Sequence, residues 1–197
     1  MVEKNNSLEA RVIQLEEKQA VTSHVNDLLN KEVDRLNQYT RRSNIVFRNV
    51  FVPENETIEK VEENVRNMIG KMGLPEDVVK DLDKAHRLGA VKQINGKKHQ
   101  DVIARFKSHS ARYKVFSKRK SLRNIRISPN LTKSRSKTLH EAVELTKNIE
   151  EEWGFVFANQ HGDLLIRLNE KYQGKNYYPF DSIEQLNTQL REVGLIH

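Results

Sequence analysis

The sequence predicts an α+β protein with three parts: a long N-terminal helix, a β-α-β-β-α-β unit and a small α+β domain at the C-terminus. Residues 1–43 contain neither Gly nor Pro and carry a seven-residue apolar repeat. Residues 44–129 alternate short β-branched or apolar runs with two amphipathic helical patterns. Residues 130–197 place a hairpin pattern between two further helical patterns.

The N-terminal helix is predicted to be a parallel coiled coil. With Leu8 at heptad position d, the d residues are Leu8, Leu15, Thr22, Leu29 and Leu36, and the a residues are Val12, Gln19, Asn26 and Val33. A period of 3.5 residues sustained over about five heptads is typical of a coiled-coil seam. A polar Asn at an a position, here Asn26, favours a single register at some loss of stability. Because the heptads begin so near residue 1, a truncated coil is one interpretation.

The charges beside the seam predict how many helices assemble. Arg11 lies at position g and Glu16 at the next e position, within RVIQLE, so the two can pair between parallel helices. This spelling is a signature of parallel trimers, so we expect a homotrimer rather than a dimer; a single helix packed on the rest of the chain is the other reading. The residues predicted to hold the oligomer together are Leu8, Arg11, Val12, Leu15, Glu16, Asn26, Leu29, Val33 and Leu36.

The first half of the β-α-β-β-α-β unit is a strand, a helix and a strand. IVFRNV at 45–50 is a β-branched and apolar strand, and PENET at 53–57 is a turn that starts a helix. The helix covers 57–73 and ends at Gly73 and Pro75. Its apolar face is Ile58, Val61, Val65, Met68, Ile69 and Met72. Residues 78–88 are the predicted second strand.

The second half is predicted to be a hairpin, a helix and a strand. Asn95-Gly96 is a hairpin signal, and DVIARF at 101–106 is the third strand. A Ser-capped helix at 108–122 directs Ala111, Val115 and Phe116 to the core, and a fourth strand at 124–127 ends at Pro129. The order is that of the ferredoxin-like arrangement, which the RNA-recognition (RRM) fold also uses.

The base-stacking rings of an RRM sheet are mostly missing. Val46 occupies the usual ring position of the first strand, while Phe47 is expected to face the core. On the third strand Asp101 and Ile103 stand where rings are expected, and only Phe106 remains. The sheet therefore either has no role with RNA or contacts the phosphate backbone without stacking bases.

The C-terminal domain is predicted to consist of a helix, a hairpin, a strand and a last helix. The first helix covers 130–154, with Thr132 as its cap and Gly154 as its end. Its apolar face is Leu139, Val143, Thr146 and Ile149. A hairpin turns around Gly162 within 155–168, and residues 172–190 hold a strand, a turn and a helix capped by Asp181 or Ser182. A domain of this size has a marginal core, so we expect it to dock on its neighbour.

Positive charge is concentrated in one stretch of the chain. Residues 107–137 hold eleven Lys and Arg and no Asp or Glu, whereas the net charge of the whole chain is +7. Segregated charge of this kind is typical of nucleic-acid binding. An acidic protein partner is the alternative; a membrane surface would need apolar residues opposite the charge, and here the fold uses Val115, Phe116 and Leu122 for its core.

No pattern of residues predicts catalysis, a cofactor or a metal site. There is no Cys, the seven His have no metal-ligand spacing, and the eight Gly form no phosphate-binding loop. The chain also lacks a signal-peptide core and an apolar run of about 18 residues. We therefore expect a soluble intracellular protein that is not an enzyme, with no small-molecule substrate and no membrane partner.

The order of coiled coil, RRM-like domain and small C-terminal domain resembles the first-open-reading-frame protein of LINE-type retrotransposons. The similar segments are RVIQLE, RRSNIVFRNV, KAHRLG at 84–89, VIARF at 102–106 and IRISPNLT at 125–132. The part from NLTKSRSK through FVFANQHGDLLIRL also resembles the baculovirus few-polyhedra protein. The resemblance implies domains at 1–43, 44–129 and 130–197.

The resemblance also implies a function. Members of the LINE family are homotrimeric RNA-binding nucleic-acid chaperones that package their own transcript in a ribonucleoprotein, cytoplasmic and in part nuclear. The expected partners are thus single-stranded RNA, single-stranded DNA and further copies of the chain. In the family, basic residues of the second RRM helix and of the start of the C-terminal domain contact RNA, which here implies Lys118, Arg119, Lys133, Arg135 and Lys137. With their basic neighbours, the candidate contacts are Arg41, Arg42, Arg105, Arg112, Lys114, Lys118, Arg119, Lys120, Arg123, Lys133, Arg135 and Lys137.

The few-polyhedra resemblance implies a different function: a structural protein that the coiled coil assembles and whose basic face binds an acidic protein.

Overall fold

The computed structural model describes residues 2–147, 149, 153–169 and 177–196. Within them it contains six helices and seven strands, and both sheets are antiparallel, so the chain is an α+β protein. The chain divides into two compact units, residues 1–37 and residues 38–197. No helix in the described part is both long enough and apolar enough to cross a membrane.

The first unit consists of a single helical segment. Helix α1 covers Val2–Thr40, so it ends three residues before the predicted coil does, and its last turn belongs to the second unit. Its apolar seam side chains are exposed in the single chain. The helix is thus present as predicted, and its assembly into a coiled coil stays a prediction.

The second unit begins with a four-stranded sheet and its helices. The elements are β1 Asn44–Phe51, α2 Ile58–Lys71, α3 Glu76–Lys80, β2 Leu82–Ile94, β3 Lys97–Phe106, α4 His109–Ser117 and β4 Arg126–Pro129. The strand order is β2-β3-β1-β4, and every neighbouring pair is antiparallel. The predicted β-α-β-β-α-β succession is therefore present, with α3 as an additional short helix.

Helices α2 and α4 cover one face of this sheet and form the first core with it. Thr57 begins α2, because its side-chain oxygen accepts a hydrogen bond from the backbone N–H of Lys60. Phe47 is buried in this core, as predicted. The predicted helix face also lies in it, apart from Ile58, which is 69% exposed at the first position of α2.

The second strand begins later and continues further than the sequence predicts. Residues 78–80 of the predicted strand lie instead in helix α3, which begins with Pro75 followed by two acidic residues, Glu76 and Asp77, in its first turn. Strands β2 and β3 then extend through the polar segment 89–100 that was predicted to be hairpin loop. The predicted turn is confirmed at Asn95-Gly96, where both residues have positive φ, 50° and 73°.

Helix α4 is shorter than predicted, and β4 is shifted. The helix ends at Ser117 rather than at 122, so Lys118 is its C-cap and Arg119 lies beyond it. The segment that follows is polar except for Leu122 and Ile125, which pack against the first core. Strand β4 occupies 126–129 rather than 124–127, since Ile127 faces that core and Pro129 pairs with Ile45.

The rest of the second unit is a three-stranded sheet with two helices. Its elements are α5 Lys133–Thr146, β5 Gly154–Ala158, β6 Leu164–Leu168, β7 Tyr177–Pro179 and α6 Ile183–Glu192, with strand order β5-β6-β7. The hairpin of β5 and β6 confirms the predicted one. The second core is built from Ala142, Trp153, Leu164, Ile166, Leu168, Phe180, Leu186 and Leu190.

This part of the structure corrects two predictions, the end of α5 and the burial of Val143. Thr132 caps α5 as predicted, but the helix ends at Thr146 rather than at Gly154. Gly154 instead begins β5 with a φ of 138°, where a Cβ atom would collide with the backbone carbonyl of Arg167. Val143 is 41% exposed rather than buried. Of the two predicted caps of α6, Ser182 is the one that the structure shows. Residues 172–176 of the predicted strand lie outside the described residues.

Gln38 joins the last turn of α1 to the segment between the two cores. Its side chain is 4% exposed; its Nε2 donates to the carbonyls of Asn130 at 3.1 Å and His161 at 3.3 Å, and its Oε1 accepts from the N–H of Thr132 at 3.0 Å. Gly162 packs directly on this amide, so closely that a Cβ atom at position 162 would overlap the Gln38 side chain. One buried amide thus forms hydrogen bonds both with the linker at 130–132, between the two cores, and with the hairpin turn of the second sheet.

Candidate nucleic-acid interface

A cleft of about 850 Å³ lies within residues 38–197. Residues of the first sheet and α4 line one wall, and residues of α5 and the second sheet line the other. The charged side chains among the described lining residues are all cationic: Arg48, Lys92, Arg119, Arg126 and Arg167. A concave surface of one sign of charge attracts counter-charged ligands more strongly than the same charges on a flat surface.

We call the lining cations Arg48, Lys92, Arg119 and Arg126 the basic wall; it includes a pair of arginines on neighbouring strands. Arg48 of β1 stands directly opposite Arg126 of the edge strand β4. Asp101 accepts from Arg48 at 2.9 Å, and the Ser128 hydroxyl lies 3.2 Å from the Nε of Arg48. Arg126 is exposed and has no ion pair with any residue that the structure describes. Like charges directly opposite each other destabilise a sheet, and an anionic ligand would relieve that repulsion.

The turn after α4 supplies further exposed cations. The guanidinium of Arg119 lies 4.8 Å from the centre of the Phe116 ring, and both residues line the cleft. Lys118, Lys120 and Arg123 are exposed in the same turn and form no ion pair within the described ranges. Their side chains remain available to phosphates without the loss of an internal partner.

Arg112 differs from the other predicted contacts because it is buried. It is 3% exposed, and its Nη2 donates to the backbone carbonyl of Gln160, which joins α4 to the hairpin turn of the second sheet. Burial lowers the pKa of Arg112 to about 10, so it is still a cation at neutral pH. Its guanidinium is engaged inside the molecule, and we leave it out of the candidate interface.

Arg41 and Arg42 follow α1 directly, near the N-terminal end of the second unit. Arg41 donates to the side-chain oxygen of Asn130 at 3.3 Å and to the carbonyl of Leu131 at 3.4 Å. Arg42 stacks on the Tyr39 ring at 4.8 Å. Both arginines are half-buried and line no part of the cleft.

The remaining predicted contacts lie outside the cleft. Arg105 pairs with Asp83 at 3.4 Å, and Lys114 lies 3.9 Å from Asp77. Lys133 is exposed at the start of α5.

Two predicted contacts near the start of α5, Arg135 and Lys137, have acidic partners. Arg135 donates to the carbonyl of Gly162 at 3.0 Å and lies 3.6 Å from Asp163. Lys137 lies 3.6 Å from Glu141. Of the twelve predicted contacts, Arg119 is the one that lines the cleft.

The predicted contacts omit four cations of the cleft and the three rings that the second sheet contributes to it. Arg48, Lys92, Arg126 and Arg167 are the cations, and Phe155, Phe157 and Tyr177 are the rings. A sequence signal for the rings is the alternation in FVF at 155–157, which puts both Phe on one face of a strand. No local signal places that face in the same cleft as the basic wall, because the residues that line the two walls are far apart in the chain.

The first sheet has no ring at the positions where an RNA-binding sheet stacks bases. Val46 is buried, Asp101 is held by Arg48, and Ile103 is half-buried. Phe106, the one ring that the sequence left at such a position, is 1% exposed and lies in the first core. The alternation of β3 directs Phe106 to the same side as Val102 and Ala104, so it cannot reach the open face.

Along α1, the predicted oligomerisation residues form an exposed apolar stripe. Leu8, Val12, Leu15, Leu29, Val33 and Leu36 are between 51% and 59% exposed. Arg11, Glu16 and Asn26 are exposed beside them. A second set of exposed apolar residues lies at Val21, Val25 and Leu28. Each of them directly precedes a seam residue in the sequence.

No protein-family model matches this chain, and no curated protein sequence matches it. The functional assignment therefore rests on the cleft and on the charge of its walls.

Proposed function

We propose that this protein is a homotrimeric single-stranded RNA-binding protein with nucleic-acid chaperone activity, of the kind found in LINE-type retrotransposons. The observation that carries the proposal is the cleft: its described lining has five cationic side chains and no acidic one. Phosphates are the ligands that such a surface attracts, and single-stranded DNA carries the same phosphodiester charge as RNA.

Largely sequence-independent binding follows from the kind of contact. Arginine and lysine recognise phosphates, and phosphate contacts carry no direct sequence information. A cationic protein that binds many strands with similar affinity can bring complementary strands together and exchange them. This is the chaperone activity in the proposal, and it fits the packaging of a transcript into a cytoplasmic or nuclear ribonucleoprotein.

The trimer in the proposal is supported by the apolar stripe of α1. A stripe with a 3.5-residue period would bury its leucines and valines against two further copies of the same helix. Three linked clefts can raise the apparent affinity for a long strand by roughly 10²–10⁴-fold over one cleft.

Charge reversal tests the cleft directly. In Arg119→Glu combined with Arg126→Glu, affinity for a single-stranded RNA oligonucleotide should fall about tenfold or more, because hydrogen bonds to charged groups contribute roughly 1.5–3 kcal/mol each. Fluorescence anisotropy at low salt measures it, with Lys60→Glu combined with Lys71→Glu, two exposed cations of α2 away from the cleft, as the control of equal charge change. Equal affinities for both variants would remove the cleft from the proposal. The predicted pair Lys118→Glu and Arg119→Glu tests the turn after α4 in the same assay.

A salt titration separates the proposal from its rival, an assembly protein whose basic face binds an acidic protein. If single-stranded RNA binds, the logarithm of the affinity falls against the logarithm of salt concentration with a slope of about −0.7 for each phosphate contacted. Absence of RNA binding even at low salt would favour the acidic partner.

A further inference from the structure

The outer face of the second sheet carries an arginine between two aromatic rings. Phe155, Arg167 and Tyr177 stand opposite one another on β5, β6 and β7, so they form one row across the strands. The Arg167 guanidinium lies 5.8 Å from the centre of each ring. Phe157 adds a third ring, 5.4 Å from Phe155 and 6.0 Å from Tyr177 between centres. We call Phe155, Phe157, Arg167 and Tyr177 the aromatic row.

The aromatic row is not part of a core. The opposite face of the same strands supplies Leu164, Ile166 and Leu168 to the second core, and strand alternation sends the row away from it. Phe155 and Tyr177 are each 48% exposed. Arg167 is exposed and forms no ion pair with any residue in the described part of the chain. Two half-exposed rings and an unneutralised arginine therefore form a surface that is both apolar and cationic.

The aromatic row lies in the cleft, whose other wall is basic. All four of its residues line the cleft, as do Arg48, Arg119 and Arg126 of the first wall. One wall of the cleft thus offers Phe155, Phe157 and Tyr177 with Arg167, and the other offers Arg48, Arg119 and Arg126. A single nucleic-acid strand has the matching chemistry, because its bases have flat π faces and its backbone has a negative charge at each residue.

We infer that the aromatic row is a stacking platform for the unpaired bases of a strand whose phosphates the basic wall holds. The inference rests on the proposed function and adds to it the groups that the second wall recognises. Stacking tolerates any base, since every base has a π face, so the platform adds affinity without adding sequence preference. Arg167 reinforces the platform, because a guanidinium beside a ring can itself stack on a base.

The platform also accounts for a difference between the two sheets. The first sheet has no exposed ring at its stacking positions, and Phe106 is buried in the core. The second sheet carries exposed rings and faces the same cleft. Base contact in this protein is therefore assigned to the second sheet, and phosphate contact to β4 and the turn after α4.

The test compares two oligonucleotides of equal length and equal phosphate number, one with bases and one abasic. Fluorescence anisotropy of the full chain should give tighter binding to the base-bearing strand by about 5- to 150-fold per stacked base. In Phe155→Ala combined with Tyr177→Ala, that preference should shrink toward one while affinity for the abasic strand stays unchanged. Phe51→Ala is the matched control, because Phe51 is 49% exposed on β1 and does not line the cleft.

Two further variants separate stacking from folding. Tyr177→Phe keeps a ring and should keep the preference, whereas Tyr177→Leu keeps apolar bulk and should lose part of it. Circular dichroism melting of each variant checks that the second sheet stays folded.

The outcomes distinguish this inference from the proposed function. Equal binding of base-bearing and abasic strands by the unmodified protein would overturn the platform and leave phosphate binding in place. A preference that survives Phe155→Ala with Tyr177→Ala would overturn the assignment to these rings. Binding of neither strand at low salt would overturn the proposed function itself and the platform with it.

Discussion

The buried amide of Gln38 illustrates how much one polar side chain can organise. Its three hydrogen bonds reach Asn130 and Thr132 in the linker and His161 in the hairpin turn. No apolar side chain could replace it, because the two carbonyls and the N–H that it satisfies would then be buried without partners. We therefore expect the packing between the segment 130–132 and the hairpin turn at 161–162 to depend on this residue.

Gln38→Ala should therefore lower the free energy of unfolding by about 1–3 kcal/mol for each group left unsatisfied and unreached by water. Chemical denaturation at a fixed protein concentration measures the change, since oligomerisation makes stability depend on concentration. Gln14→Ala, an exposed glutamine in the same helix, is the control and should have little effect. A Gln38 variant as stable as that control would show that the joint does not depend on the amide.

His161 adds a pH dependence to the same joint. Burial is the main cause that lowers its pKa from the usual 6.5, and the nearby positive charges of Arg42, Arg112 and His109 act in the same direction, while Asp163 opposes them. The folded protein therefore binds a proton at His161 less readily than the unfolded chain does.

Stability should accordingly decrease as the pH falls from about 7 through 6.5, the ordinary value for histidine, toward the lowered pKa of the folded state. The loss ends below the folded pKa, where His161 is protonated in both states. In His161→Gln this part of the pH dependence should be missing from thermal melts recorded between pH 5 and 8, whereas His24→Gln, in exposed helix, should keep it. Identical pH profiles for the two variants would contradict the assignment.

Among the elements, α1 raises the sharpest question, because its apolar residues are not confined to the predicted seam. Leu28 and Leu29 are adjacent, chemically identical and similarly exposed, at 53% and 57%. The heptad frame places only Leu29 on the seam, at position d, and Leu28 at position c. The two leucines thus form a matched pair that tests the register.

If the proposed trimer forms, Leu29→Asp should dissociate it, because the substitution would bury a carboxylate in the seam. Leu28→Asp should leave the mass unchanged, since position c faces solvent in a trimer. Light scattering coupled to size-exclusion chromatography reads the mass of each. Equal effects of the two substitutions would mean that the seam is wider than the heptad frame predicts or lies in another register.

For the whole molecule, the proposal links assembly to affinity. If three clefts share one strand, then the Leu29→Asp monomer should bind a long RNA roughly 10²–10⁴-fold more weakly than the unmodified protein. A short oligonucleotide that occupies a single cleft should bind both proteins alike. Leu28→Asp serves again as the control, and a uniform loss for short and long strands would indicate damage to the cleft rather than loss of linkage.

The elements were largely predictable because their signals are local. Helical spacing identified the core residues of α2 from Val61 to Met72, side-chain caps identified the starts of α4 and α5, and Asn95-Gly96 identified a hairpin turn. The errors lie at boundaries. The predicted start of β2 is too early because Pro75, Glu76 and Asp77 begin the short helix α3, a local signal that the strand prediction omits.

The candidate site was predictable only in part. Segregated charge pointed to the region after α4, and Arg119 does line the cleft. Arg112 belongs to the same run of charge, yet tertiary contacts bury it against Gln160. Sequence spacing could not separate these two arginines, because whether a surface side chain is covered depends on which other element packs over it.

By itself, then, the sequence determined the α+β composition, the long helix with its heptad stripe, and the concentration of positive charge in residues 107–137. Tertiary structure alone decided that Arg48 stands beside Arg126, that Phe106 is buried, and that the aromatic row faces a basic wall. The physical reason is the range of the interactions. Periodicity, capping and turn propensity act over a few residues, whereas strand register and the meeting of two sheets are set by contacts between residues far apart in the chain.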